Sequence, residues 1–207
     1  MALDLPIFEL PMALLPGETV PLHIFEDRYK RMIGHCVDSG ERFGIVLRDE
    51  AGARSVGCTA LVTEMLERMD DGRMNVLVTG ESAFRVLDRF DDPEDPRAEV
   101  ELIAEDAPDP DPDPEALGEA RSAFARLAEA ALGEAPDPGE LAGLDSYGLA
   151  ARVELSAETK QRLLQTRDEE KRLSYLAGVF GELAEAAGRA EEIAERARSN
   201  GRIRIGR

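Results

Sequence analysis

The sequence predicts an α+β protein, a small β-barrel lobe carrying one helix and followed by a lobe of helices, and three observations predict it. Apolar residues recur with period two from Arg42 to about Ile103, and with a helical period after Glu115. Between the two lies Pro108-Asp109-Pro110-Asp111-Pro112-Asp113-Pro114, an alternation that can neither continue a strand nor start a helix. The opening stretch places prolines at 6, 11, 16 and 21 between short apolar runs, which excludes helix there. The predicted boundaries are a barrel lobe at 1–107, an acidic Asp-Pro connector at 108–114, a helical lobe at 115–199 and a basic tail at 200–207.

Each element follows from a local signal. The proline-spaced opening predicts short strands at edges and corners, because each Pro removes a ladder donor. In EDRYKRMIGHCVDSG, Tyr29, Met32, Ile33, Cys36 and Val37 fall on one helical face, and Gly40 stops the helix. RFGIVLR forms a strand ending at the turn Asp49-Glu50-Ala51-Gly52. SVGCTALVTEMLERM and RMNVLVTG then pair across Asp70-Asp71-Gly72, an Asp-Gly hairpin signal. AFRVLDRF and RAEVELIAE supply two more strands, enough to close or half-close a small barrel.

Beyond the connector, Asp113 and Pro114 mark a helix start. Leu117, Ala120, Phe124, Leu127, Ala128 and Ala131 share a face that ends at Gly133; Ser146 and Ser156 offer further caps. In the last helix Leu173, Leu176, Phe180, Leu183, Ala187, Ala190, Ala194 and Ala197 alternate steps of three and four, a coiled-coil-like seam. Its alanine half can bury little area. The final RARSNGRIRIGR holds five Arg and no acid, and reads either as a mobile end or as a docking element for an acidic surface.

Composition removes several functions. The chain of 207 residues has 43 acidic and 25 basic side chains, a formal net charge of −18. A surface of that sign repels nucleic acid and anionic membrane, whose recognition depends on Lys and Arg neutralising phosphates. Two cysteines, Cys36 and Cys58, are too few for a disulfide framework or a structural zinc site, which fits a reducing cytoplasm. The first residues lack a basic n-region, and no run approaches a membrane span, so a soluble cytoplasmic protein is expected.

The usual catalytic constellations are missing as well. No Gly-Lys pair exists, so there is no P-loop. Gly80-Glu81-Ser82 fails the nucleophile elbow at its second glycine. His35 and Cys36 are neighbours on a helix and point about 100° apart, which prevents pairing as base and thiolate. Ser156 and Lys160 stand four apart, but Ser156 reads as an N-cap and Lys160 as a solvated side chain. No catalytic residue, metal site or cofactor is predicted, and elimination leaves a binding protein.

Residues from LPIFELPMALLPGETVPLHIFEDRYKRMI through FGIVL to VGCTALVTEMLERMDDGRMNVLVTGESAFRV resemble the amino-terminal substrate-binding domain of the Lon protease family. The most telling pieces are Pro16-Gly17, the Pro21-to-Glu26 run leading to Arg28-Tyr29, Phe43-Gly44, and Asp71-Gly72-Arg73 followed by Gly80. Lys160-Gln161-Arg162-Leu163-Leu164-Gln165 and Arg172-Leu173 are similar to the family's helical part. The resemblance implies a PUA-like β-barrel followed by a helical bundle, in a protein without ATPase and peptidase parts. It implies partners that are unfolded or exposed protein segments, with any link to degradation made through a separate protease. Two departures leave partner preference open: Glu81-Ser82-Ala83-Phe84-Arg85 replaces a basic-aromatic sequence, and the Asp-Pro connector is unusually acidic. Alternative readings are a PUA-like nucleic-acid binder, disfavoured by the net charge of −12 over residues 1–107 (23 acidic, 11 basic), and a regulator binding a small molecule in the barrel mouth.

The candidate partner-binding residues are Met65, Leu66, Met69 and Met74, which flank the Asp70-Asp71-Gly72 turn. Either they close the end of the barrel core, or they form an apolar patch at the hairpin tip whose methionines adapt to varied partners.

Overall fold

The computed structural model describes residues 2–90, 92–103 and 114–200, without the side chains of 191, 192 and 194–200. Most of the connector, including the Asp113 cap, and residues 201–207 of the tail lie outside the described residues. The elements run β1 (Ala2–Leu10), β2 (Thr19–Ile24), α1 (Asp27–Ser39), β3 (Phe43–Asp49), β4 (Gly52–Arg68), β5 (Met74–Phe90), β6 (Arg97–Leu102), α2 (Pro114–Leu132), α3 (Ser146–Ala150), α4 (Ala157–Gln165) and α5 (Glu169–Asn200). The fold is mixed α+β. No described helix is long and apolar enough to cross a membrane.

The six strands follow the order β2-β5-β4-β3-β1-β6, and β6 also pairs with β5, which makes a barrel-like ring. Proline placement explains the first two strands. β1 pairs antiparallel with β6 through Pro6 and then parallel with β3 from Ile7, so Pro6 sits where the strand changes partners. Pro21 lies in β2, whose one partner among the described strands is β5, and an edge strand tolerates a missing donor. Sequence expectation and structure differ at β5. RMNVLVTG and AFRVLDRF are one continuous 17-residue strand, because the register slips beside Gly80 instead of breaking there.

Three close approaches require glycine. The Phe84 ring fills the ring interior among Leu5, Ile7, Val46, Ala98 and Val100. A Cβ on Gly44 would lie 2.7 Å from Phe84 Cζ, and one on Gly57 would lie 2.3 Å from the Ile45 carbonyl oxygen. At Gly80 a Cβ would meet the Leu15 oxygen at 2.2 Å. That contact lets the Pro16-Gly17 loop clasp β5: Gly17 N–H donates to Gly80 O at 2.8 Å, and Gly80 N–H donates to Glu18 O at 2.9 Å.

Helix α1 buries Tyr29, Met32, Ile33 and Cys36, and Gly40 ends it at φ 71°. Tyr29 packs on Phe8 at a ring separation of 4.1 Å.

The chain divides into two compact units, one of residues 1–107 and 150–168, the other of 108–149 and 169–207. Residues 150–168 therefore group with the strands, whereas helical periodicity alone places them in a lobe at 115–199. The reason is specific. Ser156 caps α4 by accepting the Thr159 N–H, and Gln161 Nε2 donates to the buried Val56 carbonyl at 3.0 Å. Lys160, expected to be solvated, instead forms a largely buried ion pair with Glu18, whose carboxylate also accepts the Leu15 N–H at 3.0 Å.

In the other unit α2 packs on α5, with Phe124 and Phe180 edge to face at 5.6 Å. The buried face of α2 is Ala116, Ala120, Ala123, Phe124 and Leu127; Ala131, expected on that face, is exposed. Along α5 the seam is buried at Leu173, Leu176 and Phe180, half-buried at Leu183 and Ala187, and exposed at Ala190, as a run of small residues dictates. Asp145 caps α3 through the Gly148 N–H at 2.7 Å. Ser146 instead donates its N–H and hydroxyl to Glu169, at 2.7 and 2.6 Å. Arg172, 2% exposed, completes this network by donating to Ser146 Oγ and Glu169 and lying 4.5 Å over the Tyr147 ring. A buried guanidinium is tolerable only with such partners.

Candidate protein-recognition surface

The β4–β5 hairpin carries the candidate residues, and its turn is firmly built. Gly72 takes φ 81°, Met69 N–H donates to Arg73 O at 2.8 Å, and Gly72 N–H donates to Met69 O at 3.0 Å. Asp71 Oδ1 accepts the Arg73 N–H at 3.1 Å. That bond and the Arg73 guanidinium hold the Asp71 carboxyl below the ordinary carboxylate range.

The structure separates the four predicted residues. Met74 is buried, 3% exposed, with its Cε beside Gly34 of α1. Met65, opposite the buried Val76, and Met69, in the turn, are half-buried. Leu66 alone of the four is open to solvent, at 48%. Register explains it. Met65 opposes Val76 and Glu67 opposes Asn75, so Leu66 is the extra residue of a β-bulge, and bulges re-aim the side chains they carry.

On the outer face beside Leu66 lies a second set of residues that sequence reasoning did not select. Pro21, Leu22 and His23 of β2, Leu66 and Glu67 of β4 and Asn75 of β5 line a shallow groove of about 630 Å³. Cross-strand pairing puts His23 opposite Asn75. His23 Nδ1 donates to Asn75 Oδ1 at 2.6 Å, and Asn75 Nδ2 donates to Glu67 Oε2 at 2.9 Å, a polar string across three strands. Past the end of β2, Phe25 is 60% exposed and stacks on His23 at 5.9 Å. The period-two signal contains part of this arrangement, since His23 and Phe25 alternate with buried Leu22 and Ile24.

Neither thiol suits nucleophilic chemistry. Burial pushes Cys36 up to about 11 and Cys58 up to about 12, so both are protonated at neutral pH. Chemically, the surface offers apolar side chains beside fixed donors and acceptors, a combination suited to holding a polypeptide segment.

A family profile described as the ATP-dependent protease La (LON) substrate-binding domain matches residues 4–178. Among solved structures, "Lon N-terminal domain protein" from Xanthomonas campestris is 26% identical, with a TM-score of 0.66, covering 85% of this chain and 98% of its own. The N-terminal domain of the Mycobacterium avium complex Lon protease shares the fold at 21% identity and a TM-score of 0.62, over 88% of this chain and 98% of its own.

Proposed function

This chain belongs to the family of Lon substrate-binding domains, and we propose that it recognises exposed, unfolded segments of other proteins through the outer face of β2, β5 and β4. The family's domain is a protein-substrate recognition module and is non-catalytic; the proposal extends that lack of catalysis to the protein as a whole. The supporting observation is Leu66, turned outward by a bulge in the groove of the His23-Asn75-Glu67 string, whose His23 end carries the exposed Phe25. A segment laid here would bury apolar side chains on Leu66, Phe25 and Pro21 and meet polar partners along the string.

Because the chain contains no Gly-Lys pair, ATP-driven unfolding of a bound client requires other residues than these. We therefore place the protein in cytoplasmic quality control, as an adaptor or regulator that engages clients for a separate protease. Phe25→Ser combined with Leu66→Ser tests the surface. Both positions are exposed, so the melting temperature changes little while affinity for an unfolded model protein such as casein falls about tenfold or more. Binding that persists in this variant but falls in Met65→Ser with Met69→Ser moves the site to the half-buried methionines.

A further inference from the structure

We infer that the pocket framed by Arg28, Arg48, Arg89 and Arg97 binds a small molecule carrying phosphate or carboxylate groups. Its volume is about 370 Å³, the scale of a small-ligand site and too confined for a folded partner. Five elements contribute to it: Glu9 from β1, Arg28 and Tyr29 from the first turn of α1, Arg48 from β3, Arg89 from β5 and Arg97 from β6.

The centre of the pocket is constructed. Glu9, sheltered to 19% side-chain exposure, holds two guanidiniums at once: Arg48 Nη2 lies 2.6 Å from Oε2, and Arg89 Nη1 donates to Oε1 at 2.7 Å. Arg89 is fixed further by donating Nη2 to the Arg54 carbonyl at 2.8 Å. Glu9 alone matches only one of the two guanidinium charges it holds. Arg28 is oriented by stacking 4.4 Å over the Tyr29 ring, and Arg97 by donating Nε to Asp4 at 3.0 Å.

The acidic partners of those two, Glu26 and Asp4, are roughly half exposed. Solvent screens such pairs, and an incoming anion can share or replace the carboxylate at small cost. Four arginines line the pocket with Glu9 and Asp92; the half-exposed Glu26 and Asp4 balance the other two charges, and an incoming anion takes their place on Arg28 and Arg97. All four cations are Arg, whose planar fork engages phosphate and carboxylate oxygens in pairs. The surrounding acidity rejects polyanions, which confines the pocket to small ones.

Calorimetric titration of the full chain with inorganic pyrophosphate and, separately, citrate tests the inference at low salt, about 50 mM, where screening is weak. Saturable one-site binding of at least one probe is expected; the tighter of the two identifies the ligand chemistry as phosphate or carboxylate. Arg89→Gln weakens that binding about tenfold or more, whereas Arg73→Gln, an equal charge change at the hairpin turn, leaves it within about twofold. Should Arg89→Gln fail to fold, Arg28→Gln takes its place. In the unmodified protein, amide shifts on titration concentrate at Glu9, Arg48 and Arg97. The inference is overturned by absence of saturable binding for both probes, by equal weakening in Arg73→Gln, or by shifts centred elsewhere.

Discussion

Phe84 sets the interior of the strand ring, and the two glycines against it leave no spare space. Gly57→Ala drives a methyl into the Ile45 carbonyl and the Phe84 ring. The expected outcome in urea titration is a loss of about 1–3 kcal/mol, the usual cost of overpacking a dense core. The two buried thiols make a second residue-scale prediction. Their folded pKa values, about 11 for Cys36 and about 12 for Cys58, lie above the ordinary thiol value of 9.0. Below pH 9 both states hold the protons, and the thiols contribute no pH dependence. Above it the unfolded chain releases them first, so stability falls as pH rises from about 9 towards 11 to 12. Replacing both by Ala flattens that part of the stability-against-pH curve, whatever it does to the stability at neutral pH.

At the scale of elements, signals closed within a few residues were legible in advance. Asp71-Gly72 made its hairpin, Gly40 ended α1, and Ser156 capped α4, because each depends on local backbone geometry. What depended on a partner strand or surface was not legible. The bulge that exposes Leu66 exists because β4 spends two residues where β5 spends one, a count neither strand contains alone. Likewise, the apolar face of α4 has a helical period that does not say what it covers, and four arginines from four elements leave no cluster in the sequence. The docking of α4 carries its own test. Lys160→Met leaves Glu18 charged and nearly buried, which costs about 3–5 kcal/mol. Adding Glu18→Gln restores most of that, since the amide oxygen still accepts the Leu15 N–H, and chemical denaturation of the three variants measures the recovery.

For the whole molecule the governing fact is that each compact unit is made of two separated stretches of chain. A fragment ending at residue 107 holds all six strands but lacks α4, so Glu18 loses its cation and Val56 O its donor. Such a fragment is expected to melt below the intact protein, and a synthetic peptide of residues 150–168, added in excess, to raise its melting temperature in proportion to occupancy. An unchanged melting temperature would show that α4 adds nothing to the ring. The division into two stretches also sets a timetable for a newly made chain. The last strand ends at Leu102 and α4 begins at Ala157, an interval of several seconds at roughly 5–20 residues per second of synthesis. The first helix of the other unit emerges within that interval and waits in turn, its Phe124 face uncovered until Phe180 leaves the ribosome. Neither unit is complete until its second stretch of chain has been made, and a chain stalled after α2 has emerged but before α4 has done so presents two unfinished apolar surfaces to the chaperones that meet it.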